Sequence, residues 1–236
     1  DVSSIWSDSS SNPNSNWASD SGGATDTQQI PGAITDVYFL ATGATNTTTT
    51  LGTNFTVDSL TFSSGSASVG GVQSLTLAGS NSNSFALEVE SGASATIALS
   101  TLTYAGDTSV DAGGTLTVTG SSLGSTTGDF IVDGTLNVNS VFSKGTLSGA
   151  GSVTRSNTGT GILNIGGTAA DGLFSGIISD GAGIVSLTKI GTNTLSLSGA
   201  NTHSGGTTLT AGRLELANAS AAGTGTLTVS GGTLDN

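Results

Sequence analysis

Apolar residues along this chain seldom run together. From position 51 onward they alternate with small polar residues in short stretches, such as Ser59-Leu60-Thr61-Phe62, Ser74-Leu75-Thr76-Leu77 and Thr96-Ile97-Ala98-Leu99. A period of two is the signature of a strand with one buried face. The stretches also return as near copies. Gly114-Thr115-Leu116-Thr117-Val118 recurs as Gly134-Thr135-Leu136-Asn137-Val138 and as Gly225-Thr226-Leu227-Thr228-Val229, and Gly232-Thr233-Leu234 opens another copy. Each copy is a Gly or Asp turn followed by a strand of four or five residues. One such strand cannot bury its apolar face alone, whereas stacked coils share a continuous core and pair every strand with the next. The pattern therefore predicts an all-β fold, a right-handed parallel β-helix (β-solenoid), over residues 51–236. Its core would hold Leu75, Leu77, Leu116, Val118, Leu136, Val138, Leu195, Leu197, Leu227 and Val229. A hairpin sandwich would favour two-residue Asn-Gly or Asp-Gly turns. Asp133-Gly134 and Asp180-Gly181 occur, but most corners are longer and built from Gly, Ser and Thr.

Residues 1–50 lack this rhythm and read as an irregular cap containing one strand, 34–40. The cap is rich in Ser, Asn and Asp, and it carries both tryptophans, Trp6 and Trp17, and both prolines. The apolar run Val37-Tyr38-Phe39-Leu40 is a candidate assembly edge, because an unpaired strand can accept another chain. The last unit, 231–236, stops inside a repeat. That ending fits either continuation in a longer parent protein or a head-to-tail contact with another copy, which generates filaments when it does not close. The start at Asp1 without Met fits a processed terminus or a fragment.

Composition alone points elsewhere. Gly, Ser and Thr make up nearly half of the 236 residues, a bias typical of disordered chains. The strict alternation of Leu, Ile, Val and Phe argues for a sheet instead, since disorder requires no pattern. Sixteen acidic residues face four basic ones. Lys144, Arg155, Lys189 and Arg213 are isolated in sequence, so the clustered cations that a nucleic-acid binder needs are missing. Without Cys there is no disulfide framework or thiolate metal site. No apolar stretch approaches the length of a membrane helix, and an embedded chain is not expected.

The stretch from Leu187-Thr188-Lys189-Ile190-Gly191 through Thr194-Leu195-Ser196-Leu197-Ser198-Gly199-Ala200-Asn201-Thr202 to Gly205-Gly206-Thr207-Thr208 and Ala211-Gly212-Arg213-Leu214 resembles the passenger-associated repeat of bacterial autotransporters. The rest of the chain looks like weaker relatives of that unit. Two positions depart from the pattern: His203 stands where an aromatic is usual, and Asn193 where a Gly is usual. The resemblance implies a β-helical passenger, secreted unfolded through an outer-membrane β-barrel translocator outside this chain and folded at the cell surface or in the extracellular space.

Candidate chemistry is sparse. His203 is the only histidine, and a Ser-His-Asp triad would need it, but no Gly-x-Ser-x-Gly elbow surrounds any serine. Its position suggests a ring packed over a turn. Polysaccharide-cleaving β-helices need clustered carboxylates. Asp107 with Asp111, and Asp129 with Asp133, are the nearest approach, and each pair is close enough in sequence that it could share a corner. Ordinary turn chemistry explains them equally well. Asp111 and Asp133 lie one unit apart, a spacing that lets them stack and repel each other, and are candidate calcium ligands because a bound cation would relieve that repulsion, although no calcium-binding Gly-Gly-x-Gly-x-Asp nonapeptide is present; no other cofactor is expected. Glu88 and Glu90 alternate with Leu87 and Val89 and should face solvent. Trp6 and Trp17 are candidates for binding a glycan or protein, or for covering the end of the helix. A non-enzymatic structural or adhesive surface element is the reading that these features favour.

Overall fold

The computed structural model describes residues 31–40, 47–79, 85–120, 123–124, 127–168 and 170–236. These residues form twenty-three strands and no helix. The strands pair in parallel and wind into a β-solenoid of about nine turns.

The ladder register follows the repeats seen in the sequence. Leu116 pairs with Leu136, and Val118 with Val138. Before them in the same columns stand Ala95 and Ile97, and Leu136 is followed by Val153 and Ile178. A second wall stacks Val37, Leu60, Leu87, Thr108, Phe130 and Leu147. Beside it run Phe39, Phe62, Val89, Val110 and Val132. The Phe39 and Phe62 rings stack at 4.9 Å with 14° between their planes. A further ladder carries Leu195, Leu214 and Leu234. A Gly149–Phe174 bridge joins it to the coils before it.

Because successive side chains alternate between faces, the polar residue of each pair points outward. There Asn137 Nδ2 donates to Thr117 Oγ1 at 2.8 Å, and Asn164 Nδ2 donates to Ser143 Oγ at 3.2 Å. These bonds link neighbouring coils across their outer face. The corners need glycine where coils nearly touch. Gly191 has a φ of +66°, and a Cβ there would collide with the carbonyl oxygen of Gly166 one coil back. No other residue combines that backbone with that closeness.

Eight of the ten residues expected in the core are fully buried. Leu227 is only half-buried and Val229 is 51% exposed, because their strand has a stacked neighbour on one side only. The ladders begin earlier than residue 51. Asp36–Leu40 pairs with the strand Ser59–Leu77, and so does Thr48–Thr50.

Candidate functional site

Three of the four basic residues lie inside the solenoid: Lys144 and Lys189 are fully buried and Arg155 nearly so. Strand parity explains this. Leu187 points inward, Thr188 outward and Lys189 inward again; Phe142, Ser143 and Lys144 repeat the order, as do Val153, Thr154 and Arg155. Each cation reaches the adjacent corner and binds backbone oxygens that the ladders leave free. Arg155 donates from Nη1 to Val138 O at 3.0 Å and from Nη2 to Thr158 O at 2.7 Å. Lys189 Nζ donates to Ile190 O, to Gly191 O at 3.1 Å and to Asn193 Oδ1 at 2.8 Å. Lys144 Nζ donates to Gly106 O at 3.1 Å and lies 3.9 Å from the Tyr104 ring centroid. Burial lowers the pKa of both lysines, and Lys144 falls to about 7 despite the nearby charges of Asp107 and Asp129. In sequence these residues show only that they are too scattered for nucleic acid. Their inward register was the signal that placed them in the core.

Buried asparagines serve the same corners. Asn193 is held by Lys189 and donates from Nδ2 to Ala170 O at 2.6 Å, linking adjacent coils. Asn201 accepts from Ile178 N at 2.8 Å and donates to Ala221 O at 2.6 Å, so it ties three coils together. His203 is fully buried, with Nε2 2.9 Å from Thr207 Oγ1. Its Nδ1 is buried without a hydrogen-bond partner, and burial pushes its pKa down.

The carboxylates group across coils, as the spacing of Asp111 and Asp133 implies, and not along the chain. Asp107 and Asp111 stand at opposite ends of the strand Thr108–Val110, so they do not share a corner. Asp129 and Asp133 are divided in the same way by Phe130–Val132. A three-residue strand spans a whole face, which separates the members of each pair. The residues that do share a corner lie one coil apart. Asp107 Oδ1 accepts from Asp129 N at 2.8 Å. Asp111 and Asp133 stack in the other corner, following the pairing of Val110 with Val132. Asp111 Oδ1 accepts from Ser109 Oγ at 2.9 Å, and Asp133 Oδ1 from Ala150 N at 2.9 Å. Glu90 stands one rung earlier in that corner. Glu88 is half-buried beside it, and its pKa is raised by burial, by Asp111 and by Glu90. Among the described residues no three His, Asp or Glu side chains converge as a metal site.

Of the candidate assembly edge, Val37 and Phe39 are buried in the chain's own core, while Tyr38 is half-buried. Leu40 continues the same strand. The strand pairs with Ser59–Leu77. Trp6 and Trp17 lie outside the described residues.

A parallel solenoid whose corners are clipped from within defines a structural repeat protein. Residues 187–216 match the sequence profile of the passenger-associated-transport-repeat, and this repeat together with the solenoid fits an autotransporter passenger. No curated protein and no solved structure matches the chain.

Proposed function

We propose that this chain is a β-helical stalk of an exported bacterial protein, positioned at the cell surface or beyond it and reached through a separate outer-membrane barrel. In this role it holds other parts of its parent protein away from the cell and performs no chemistry of its own. The observation that carries the reading is the commitment of the corner side chains. Lys189, Arg155, Asn193 and Asn201 all bond within the solenoid, joining coil to coil or bracing a corner. Such bonding stiffens a rod. The matched repeat supports export by the autotransporter route. A second reading, a head-to-tail filament, draws on the exposure of Val229 and Leu234. Small-angle scattering of the purified chain, combined with binding screens on glycans and matrix proteins, tests both. The stalk reading expects an elongated monomer, about 43 Å along nine coils spaced ~4.8 Å apart, and no saturable binding. Specific, saturable binding would make the chain an adhesin, and concentration-dependent fibres would favour the filament.

A further inference from the structure

Lys144 and Lys189 belong to one inward column, separated by Ile165. Both are fully buried, yet their surroundings differ. A lysine ammonium carries three N–H donors. Lys189 has three oxygen acceptors, namely Ile190 O, Gly191 O and Asn193 Oδ1. Lys144 has one, Gly106 O. Its remaining contacts are aromatic, with ring centroids at 3.9 Å for Tyr104 and 5.2 Å for Phe130. A ring face attracts a cation, but it does not replace two missing oxygens in an apolar interior.

The next residue along the chain opens onto the opposite deficit. Asp129 Oδ1 and Thr168 Oγ1 are buried without hydrogen-bond partners. Both crowd Gly145: a Cβ there would lie 2.5 Å from the first and 2.7 Å from the second. Thus a cation short of acceptors sits one residue from two oxygens short of a donor. Among the described residues, no ion pair joins Lys144 to a carboxylate.

We infer that Lys144 is a protonation-sensitive joint in the solenoid, at which charging the amine draws it from the Tyr104 and Phe130 rings toward Asp129 and Thr168 and loosens that coil. The groups facing it are Tyr104, Asp107 and Asp129. The Tyr104 hydroxyl is held 2.6 Å from Thr108 Oγ1, and burial keeps it neutral. Asp107 and Asp129 favour the charged amine, while burial disfavours it more strongly. Two rungs on, Lys189 is influenced by Asp171 and has its own oxygens. The folded state therefore holds fewer protons at this amine than the unfolded state does above about pH 7. Stability from this group is absent at acid pH and grows as pH rises from about 7 toward the ordinary lysine range.

The test uses the full chain with 13C-labelled lysine. Only two lysines are present, so Lys144→Met assigns both signals. The expected result is a Lys144 Cε titration midpoint near 7. The Gly145 amide, which donates to Gly128 O at 2.7 Å, should lose exchange protection about tenfold, after correction for the intrinsic rate, as pH falls from 8 to 6. Lys144→Met should remove that pH dependence. A Lys144 midpoint above 9, or Gly145 protection that does not change with pH, would overturn the inference. If Lys144→Met does not fold, these two measurements on the parent chain decide the matter.

Discussion

Lys189→Met removes the better-bound of the two buried lysines while leaving an apolar chain of similar length between Ile165 and Leu209. Three hydrogen bonds from a charged donor are lost. Bonds of that kind contribute roughly 1.5–3 kcal/mol each. The gross loss is offset in part, because burying an ammonium carries an effective penalty of several kcal/mol. The oxygens left behind decide the balance. Ile190 and Gly191 are half-buried, whereas Asn193 is buried and its Oδ1 would have no donor. A net destabilisation of about 2–4 kcal/mol follows. Urea unfolding followed by circular dichroism at pH 8 measures it. Arg213→Met is the control, because Arg213 is half-exposed and pairs only with the exposed Asp235, a contact that contributes about 1 kcal/mol or less. If Lys189→Met unfolds at the same urea concentration as the parent, or later than Arg213→Met, then the lysine is not clipping the corner and the account of the buried cations is wrong.

Further outcomes are expected at the Leu136 strand and at His203. Leu136→Ala should cost about 3–5 kcal/mol, because Leu116 and Val153 fix the rungs on either side and prevent collapse of the cavity; Thr135→Ala, on the outer face of the same strand, should shift the unfolding midpoint by less than about 0.5 kcal/mol. His203→Phe should be neutral or stabilising by up to about 1 kcal/mol in thermal unfolding, since it removes the unpartnered Nδ1 while Thr207 Oγ1 keeps its bond to Ala222 O at 2.9 Å. Because burial lowers the folded pKa of His203, stability should fall as pH drops through the unfolded value near 6.5. The Phe variant should lose that acid-side slope, and an unchanged slope would remove His203 as its source.

Much of the fold was legible because alternation and repetition say the same thing. The copies at Leu116 and Leu136 pair with each other in the structure, as their spacing implied. Leu227 and Val229 carry the same motif yet stay partly exposed, since burial depends on the next coil as well as on the motif. The site was less legible. The same alternation that placed Leu187 inside also places Lys189 inside, but an expectation that charges face water hides it. The partners that make burial tolerable, such as Asn193 Oδ1 and the free corner carbonyls, become known only once the turn geometry is. The carboxylates were misgrouped for a related reason. Neighbours along the chain, such as Asp107 and Asp111, end on different corners, whereas Asp107 and Asp129 meet across coils.

Drawing Lys144, Arg155 and Lys189 into the corners also fixes how the rod meets its surroundings. Apart from the buried Asp58, the described acidic residues keep outward or corner positions, and Arg213 is the one described basic side chain left substantially exposed. Two such rods lying side by side would each present negative charge, and their repulsion would reach about one Debye length, ~8 Å at physiological salt. A crowd of them would stand apart as a brush does, collapsing when salt or divalent cations screen the gap, without any residue having to move.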